Sequence, residues 1–529
     1  MNIDIPANIN SVLIARIDRL TNDLKETAQI ASVLGREFDI QILLELISII
    51  DAKIEKKELN ELIYQGENEK LWFPLSEIKY IFKHALLRDA IYEMQLKQRL
   101  RFLHKLAGEV MEELYGDNEK LYQDFAYHFE KAGVIDKTKM YLEKSGDYLS
   151  KNFKNEEALK TYDQLLPLSS TTEQKLETYY KKAKIFEVIA RWNDSIEMLQ
   201  TGIQLALETS NMKKEIDLKI KLGRVLERKS NYNEGLLVLR SVKEYLESGE
   251  NLSSLENQLH YSTCIDFIGI ILYRQGHFDD ALKHYKKSLS IAKKVGNKRR
   301  IASSLNGIGG ILFNQGNYNE GLEAYQKSLK LKEELGDKIG IGISLNNIGL
   351  VYYHLGNFNE GLKFENKSLE LYREVGAKDY MGYNYAYISW AYIKIEEFKL
   401  ALSIALLHLK NIVEIGTYAE KGRTHLAIAL VLIKRSQLDE ESKVILDEIT
   451  DLTNLKPIPE TYFEYAIKIS SEDNYLETLV PTLYEYGKFL CETGRKDEGR
   501  EKLKLAKIKA AEGGMKGELK KLKELENLC

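Results

Sequence analysis

Along this chain, apolar residues recur at three- and four-residue spacing, the pattern of helices with one buried face. Leu305, Ile308 and Leu312 form one such set. The pattern itself repeats. Residues 304–329 read SLNGIGGILFNQGNYNEGLEAYQKSL, and 344–369 read SLNNIGLVYYHLGNFNEGLKFENKSL. Residues 264–289 read CIDFIGIILYRQGHFDDALKHYKKSL, so the period is 40 residues. A weaker copy occupies 384–409, and a fifth keeps the spacing from Thr424 in THLAIALVLIKRSQLDEESKVIL.

Each copy predicts a hairpin of two helices. A small residue sits inside the first helix: Gly269, Gly309, Gly349, then Ser389. Glycine in a helix interior costs up to about 1 kcal/mol, so its recurrence implies close approach of the paired helix. Gly276, Gly316 and Gly356 follow in the turn, a place suited to a left-handed helix end. An aromatic residue comes next (Phe278, Tyr318, Phe358, Phe398), and then a small residue where the helices cross: Ala281, Gly321, Gly361, Ala401. Degenerate copies extend the array. Trp192 and Tyr232 stand 40 apart at the aromatic position, and Phe153 lies 39 before Trp192. CETGRKDEGREKLKLAKI (491–508) reads as the turn and second helix of a last copy, and 451–480, with Pro457 and Pro459, interrupts the spacing. A single hairpin cannot bury its apolar face, so copies must stack, and the lysine-rich stretch from Lys502 to Lys523 reads as a solvated cap.

These residues resemble the tetratricopeptide repeat. The family's usual period is about 34 residues, so a period of 40 implies longer helices, as in kinesin-light-chain repeats. The resemblance implies an all-α fold, a right-handed α-solenoid of antiparallel helix hairpins. Only six prolines in 529 residues agree with long uninterrupted helices.

The first 130 residues have a different grammar. LTNDLKETAQIASVLG predicts a helix ending at Gly35, FDIQILLELISII a second after Asp39, and KKELNELIYQGENE a third. LWFPLSEIKYIFKH alternates apolar and polar positions around a turn, which predicts a short hairpin. Three helices and a wing make a winged-helix module, and ALLRDAIYEMQ and KQRLRFLHKLAGEVMEELYG add a long helical pair. IPANINSVLIARIDRL, ASVLGREF, FKHALLRDAIYEMQLKQRLRFLHKLAGEVMEEL and AYHFEKAG, spread over about residues 5–150, together resemble the region that follows the nucleotide-binding core in STAND-class signalling ATPases. These include the modules attached to bacterial adenylate cyclases and to maltose-regulator-type activators. In that family the winged helix is an arm between ATPase and repeats. The expected organisation is an N-terminal helix or linker (1–20), a winged-helix-like domain (21–116), degenerate repeats (117–260), regular repeats (261–450), and an irregular insert with a capping repeat (451–529).

The chemistry of the chain narrows its function. A phosphate-binding loop needs the spacing G-x-x-x-x-G-K-[S/T]. The chain's Gly–Lys pair, Gly487–Lys488, is followed by Phe489 and has Thr482 where the first glycine belongs. The ATPase core is therefore absent, and no cofactor or catalytic site is expected. No HExxH occurs, and His277 and His284 lack a visible third ligand. His84, His104 and His128 lie on amphipathic helices and are expected to pack. A net charge of −4 disfavours nucleic acid. The third N-terminal helix sets Glu55, Glu58 and Glu61 among its lysines, a poor balance for phosphate contacts. No window approaches the roughly 18 apolar residues of a membrane span. Cys264, Cys491 and Cys529 are odd in number and far apart, which suits a reducing, cytoplasmic setting without a disulfide framework.

The working surface is then the inner wall of the solenoid. Alignment to the tetratricopeptide pattern places on it Asp266, Tyr273 and Arg274, then Asn306, Phe313 and Asn314, then Asn346, Tyr353 and His354, then Trp390 and Lys394. Asparagine both donates to and accepts from a peptide backbone, and aromatic neighbours grip side chains. The lysine–asparagine–arginine set of the two-carboxylate clamp is missing. The expected partner is a protein or peptide, with an ATPase or effector domain in cis or in trans. The alternatives are a C-terminal regulatory part of a STAND-class ATPase or cyclase, or a transcription regulator reading DNA through its winged helix.

Overall fold

A computed structural model describes residues 13–51, 54, 56–415, 421–472 and 475–524. Residues 1–12 of the expected N-terminal helix or linker, Glu55 and Cys529 lie outside the described residues. The chain divides into two units, one ending at Thr171 and the other beginning at Thr172.

In the first unit Thr21 caps helix Asn22–Leu34, and Gly35 ends it at φ 120°. Asp39 accepts a hydrogen bond from the Gln41 amide and starts helix Ile40–Ile50. A third helix spans Lys56–Asn68. The expected hairpin is present, and with a strand the sequence pattern did not signal it makes a sheet. Strands β1 (Glu37–Asp39), β2 (Trp72–Pro74) and β3 (Lys79–Phe82) pair antiparallel in the order β1-β3-β2. Trp72 and Phe82 meet edge to face at 5.7 Å, fully buried, and the Trp72 indole donates to the Ile63 carbonyl at 3.2 Å. A methyl group on Gly66 would fall 2.1 Å from the Trp72 ring, so the third helix passes under the sheet only with glycine there. Helices Ala85–Glu93 and Lys97–Tyr115 form the long pair, followed by Tyr122–Ala132. Buried His104 and His128 share a 3.1 Å contact between their Nδ1 atoms, and the Tyr92 hydroxyl meets His104 Nε2 at 2.9 Å. Burial holds both imidazoles well below the usual histidine range, at about 3 and about 4. His84 is exposed at the head of helix Ala85–Glu93.

The second unit is built of helix hairpins. They comprise Thr172–Val188 with Trp192–Glu208, Met212–Arg228 with Tyr232–Glu247, Leu255–Arg274 with Phe278–Val295, Lys298–Asn314 with Tyr318–Glu334, Lys338–His354 with Phe358–Val375, and Lys378–Lys394 with Phe398–Ile415. Helices Lys421–Ile433 and Glu440–Thr453 follow. Tyr232 and Phe278 are 46 positions apart rather than 40, because a short 3-10 turn at Asn251–Ser253 extends that connection. Asn454, in the left-handed region, ends helix Glu440–Thr453, and Pro459 opens helix Pro459–Glu472. Leu476–Glu492 with Lys496–Glu512 then restores the repeat grammar, and Lys516–Glu524 closes the described chain.

The helices of each hairpin touch through their small residues. A Cβ at Gly309 would lie 2.8 Å from the Tyr325 ring, and one at Gly361 would lie 2.2 Å from Tyr353 and 2.9 Å from the Gly349 carbonyl. The Ser389 hydroxyl donates to the Ala401 carbonyl at 2.9 Å. A polar spine, which the sequence reading did not assign, runs through the same gap. Ser288, Ser328 and Ser368, all fully buried, donate to the carbonyls of Ser262, Ala302 and Gly342 in the partner helix. Ser304 and Ser344 continue the spine to the next hairpin, and His408 with Thr424 ends it.

Tyr285 and Tyr325 have a carboxyl, Glu365, at the matching place one repeat later. Glu365 is fully buried and accepts from the Asn346 and Asn384 amides at 2.8 and 2.6 Å. Its other oxygen has no hydrogen-bond partner among the described residues. Burial raises its pKa well above the carboxylate range, against the downward pull of those two amides.

The C-terminal helices return to the middle of the array. Leu476, Leu479, Leu483, Ala506 and Met515 share one apolar core with Ile265, Ile268 and Phe278. The lysine-rich end is thus half cap and half core. Cys491 is disulfide-bonded, and Cys264 is a buried free thiol. This corrects the reading of the cysteines, because distance along the chain does not limit pairing in a chain that folds back, and it removes the cysteine argument for a reducing compartment. No described helix is long and apolar enough to cross a membrane.

Two outcomes follow from these packings. Gly361→Ala should destabilise the protein by about 1–3 kcal/mol through overpacking. Gly356→Ala, with nothing within 4 Å but a φ of +80°, should cost about 1 kcal/mol. Urea unfolding that ranked the two the other way would contradict the close-contact account. The raised Glu365 pKa means the folded state binds a proton that the unfolded state releases above roughly pH 4.3. Stability should therefore fall with rising pH above that point, and Glu365→Gln should gain on the wild type between about pH 5 and 8. An equal shift in urea midpoint at both pH values would show that Glu365 stays ionised.

Candidate functional site

One side of each first helix faces inward, and helical spacing selects which residues it presents. Ser303, Asn306, Gly310 and Phe313 lie at steps of three or four along Lys298–Asn314, and Ile343, Asn346, Leu350 and His354 do the same on Lys338–His354. Tyr380, Tyr383 and Tyr387 continue the face on Lys378–Lys394. Together with Phe267, Ile270, Tyr273 and Arg274 they line a cavity of about 400 Å³. Glycines make room for its rings. A Cβ at Gly307 would sit 2.5 Å from the Tyr285 ring, and one at Gly310 would sit 3.3 Å from Tyr273.

The cavity gains further walls where the superhelix meets itself. Helix Met212–Arg228 comes opposite helix Lys378–Lys394. Arg228 pairs with Asp379, and both side chains are almost wholly buried. The Arg228 guanidinium also lies 4.1 Å from the centre of the Tyr380 ring, and Arg224 donates to the Tyr380 hydroxyl at 3.3 Å. On a second side helix Leu476–Glu492 meets helix Leu255–Arg274. The Tyr273 hydroxyl donates to Glu477 at 2.6 Å, Arg274 donates to the Tyr475 hydroxyl at 3.3 Å, and Arg274 also reaches the Tyr383 hydroxyl at 3.1 Å. Arg423 donates to the Glu477 carbonyl at 3.1 Å.

Seven of the eleven residues proposed from sequence line this cavity: Tyr273, Arg274, Asn306, Phe313, Asn314, Asn346 and His354. Asn306 is half-buried and accepts from the Asn347 amide at 3.1 Å. Asn314 donates to the Tyr273 hydroxyl at 2.7 Å. Asn346 turns its amide toward Glu365. Phe313 meets His354 edge to face at 4.7 Å, and burial pushes that imidazole down to about 3, so it is neutral at physiological pH.

The other four lie behind or beside the wall. Asp266 is fully buried and accepts hydrogen bonds from Arg300, Ser303 and Ser304 at 2.6–2.8 Å, so it orients wall residues from one layer back. Tyr353 is buried against Gly361 and Phe358. Trp390 stacks on His354 at 6.1 Å. Lys394 sits 3.8 Å from Glu485. The pattern that placed Asp266 and Tyr353 inward counts positions on a helix. It does not register that a short acid is covered by the next hairpin, or a ring by the second helix of its own.

The sequence reading missed the basic side of the cavity. Arg224, Arg228, Arg299, Arg300, Lys332 and Arg423 all line it. Buried carboxylates behind the wall hold several of them: Glu227 pairs with Arg224 and Arg274, and Asp266 with Arg300. The paired arginines of KRRIASSLNGIGG stand nearly two turns before Asn306, which is the signal that could have found them. Nothing local to KLGRVLERK points across the superhelix to Asp379.

The tetratricopeptide-repeat family model matches residues 261–334 and again 300–374. No curated protein sequence matches the chain. Among solved structures, a signal transduction ATPase with numerous domains (STAND) protein with a tetratricopeptide repeat sensor, from Pyrococcus horikoshii, is 16% identical with a TM-score of 0.46. The match covers 85% of this chain and 65% of that one, so the chain spans less than two thirds of that protein. A Rap protein complexed with competence and sporulation factor is 12% identical, over 71% of this chain and 99% of the other, with a TM-score of 0.48. NprR in complex with its cognate peptide NprX is 19% identical, over 66% and 94%, with a TM-score of 0.40. Residues 261–374 of this chain are tetratricopeptide repeats, and three of the helices that form the cavity wall belong to them.

Proposed function

We propose that this chain is a non-catalytic receptor module that takes a peptide, or an extended segment of a partner protein, into the cavity of its repeats. The observation that carries this reading is the make-up of one continuous wall. Amides (Asn306, Asn314, Asn347), rings (Phe267, Phe313, Tyr383, Tyr387) and guanidinium groups come from successive first helices and face a space of about 400 Å³. Amide groups match the donors and acceptors of a peptide backbone, and rings in a water-poor recess grip side chains.

In this reading the unit ending at Thr171 is the arm that carries the bound state to an ATPase or effector, in cis or in trans. The motif set between residues 5 and 150 supports that role. A ligand that prefers one curvature of the array shifts its population toward that curvature.

Peptides selected on the purified chain from a random library should lose about 5- to 30-fold in affinity with Asn306→Ala, the effect of one or two kcal/mol of lost amide contact. Hydrogen exchange should show protection of helices Lys298–Asn314 and Lys338–His354 when such a peptide binds. Failure to select any peptide, or protection confined to the unit ending at Thr171, would sink the proposal.

A further inference from the structure

We infer that Lys332, together with the arginines that line the same cavity, seats a carboxylate of the bound peptide, either an aspartate or glutamate side chain or the free C-terminus. The inference rests on the peptide-binding reading above and names the chemistry of one subsite.

Lys332 is the centre of the argument. It stands near the end of helix Tyr318–Glu334, is only 6% exposed, and lines the cavity. Its ammonium donates to the Ser344 hydroxyl at 2.9 Å, and among the described residues it forms no ion pair. The acidic groups nearest in effect are already engaged. Asp337, capping helix Lys338–His354, accepts from the Gly340 amide at 3.0 Å. Asp266, on helix Leu255–Arg274, holds Arg300, Ser303 and Ser304. Burial lowers the Lys332 ammonium to about 8, and the pull of Asp337 and Asp266 does not restore it.

Other cations that line the cavity keep donors to spare. Arg299 is exposed, lines the cavity and forms no ion pair among the described residues. Arg300 and Arg228 each keep a buried Nε without a hydrogen-bond partner. The guanidinium groups of Arg224 and Arg300 lie 5.5 and 5.1 Å from the centre of the Phe267 ring, so they are held along the wall rather than free to swing away. A buried cation with a single neutral partner is unfavourable. A carboxylate placed beside it removes that cost and gains charge-assisted hydrogen bonds. The aromatic wall of Tyr380, Tyr383 and Tyr387 lines the same cavity, which suits a peptide carrying the carboxylate better than a small free anion.

The test is fluorescence anisotropy of the full chain with a fluorescein-labelled octapeptide array. Each sequence is made with acidic or amide (Asn/Gln) side chains, and with a free or an amidated C-terminus. Removing the responsible carboxylate should weaken binding tenfold or more, and the two arms tell a side chain from a terminus. The preference should vanish in Lys332→Met and shrink in Arg299→Gln, an exposed site where folding is not at risk. It should also fade as pH rises through about 8, where Lys332 loses its proton. If neutral and amidated peptides bind the wild type as tightly as acidic ones, the carboxylate assignment fails and peptide binding stands. If the preference survives both substitutions, the anion sits elsewhere and the assignment again fails. If no peptide binds, both readings fall. Displacement of the acidic peptides by millimolar inorganic phosphate, with no contribution from their sequence, would reassign the subsite to free phosphate.

Discussion

A serine hydroxyl that reaches the carbonyl of a neighbouring helix fixes how closely the two helices run. Ser288, Ser328 and Ser368 make this bond in three successive hairpins, each with a backbone oxygen 26 residues earlier. The bond is possible only where no bulky side chain keeps the helices apart, which is why glycine or alanine marks each crossing. Buried hydroxyls left without a partner are costly, so the same residues that permit the approach also enforce it. Ser304 and Ser344 carry the same polar contact on to the following hairpin by reaching Ser288 and Ser328.

The second constraint is electrostatic. Arg228 and Asp379 are taken almost wholly out of water to join helices 151 positions apart. A buried ion pair adds little net stability, since desolvation offsets most of the attraction, but losing one partner is severe. Its effect here is to select one register of the superhelix against itself. With Tyr273, Asn314 and Glu477 on another side, it gives the groove further walls.

The repeating part of this fold was legible in the sequence because one packing solution recurs with one spacing. The glycines at 309 and 321 make the close helix contacts expected of them, and those at 316 and 356 take the left-handed conformation. The short strands Trp72–Pro74 and Lys79–Phe82 of the first unit were visible through the alternation around Trp72 and Ile81, whereas Glu37–Asp39 is too brief to show any period. The inner wall was legible only as a set of positions. Asn306, Phe313 and His354 lie where counting along a helix puts them. Arg224 and Glu477 join them through contacts between distant repeats, and no local pattern encodes those. The substitution of Glu365 for a tyrosine was in plain view in KFENKSL, but its meaning depends on Asn346 and Asn384 arriving from two different helices.

Open repeat arrays gain and lose whole units during evolution with little penalty, because each unit touches only its neighbours. The ring of contacts between Met212–Arg228 and Lys378–Lys394 withdraws that freedom. Duplicating or deleting one 40-residue unit between them would leave each hairpin intact and yet carry Arg228 and Asp379 out of phase. The count of repeats inside this loop is thus as much a part of the binding surface as any side chain on it.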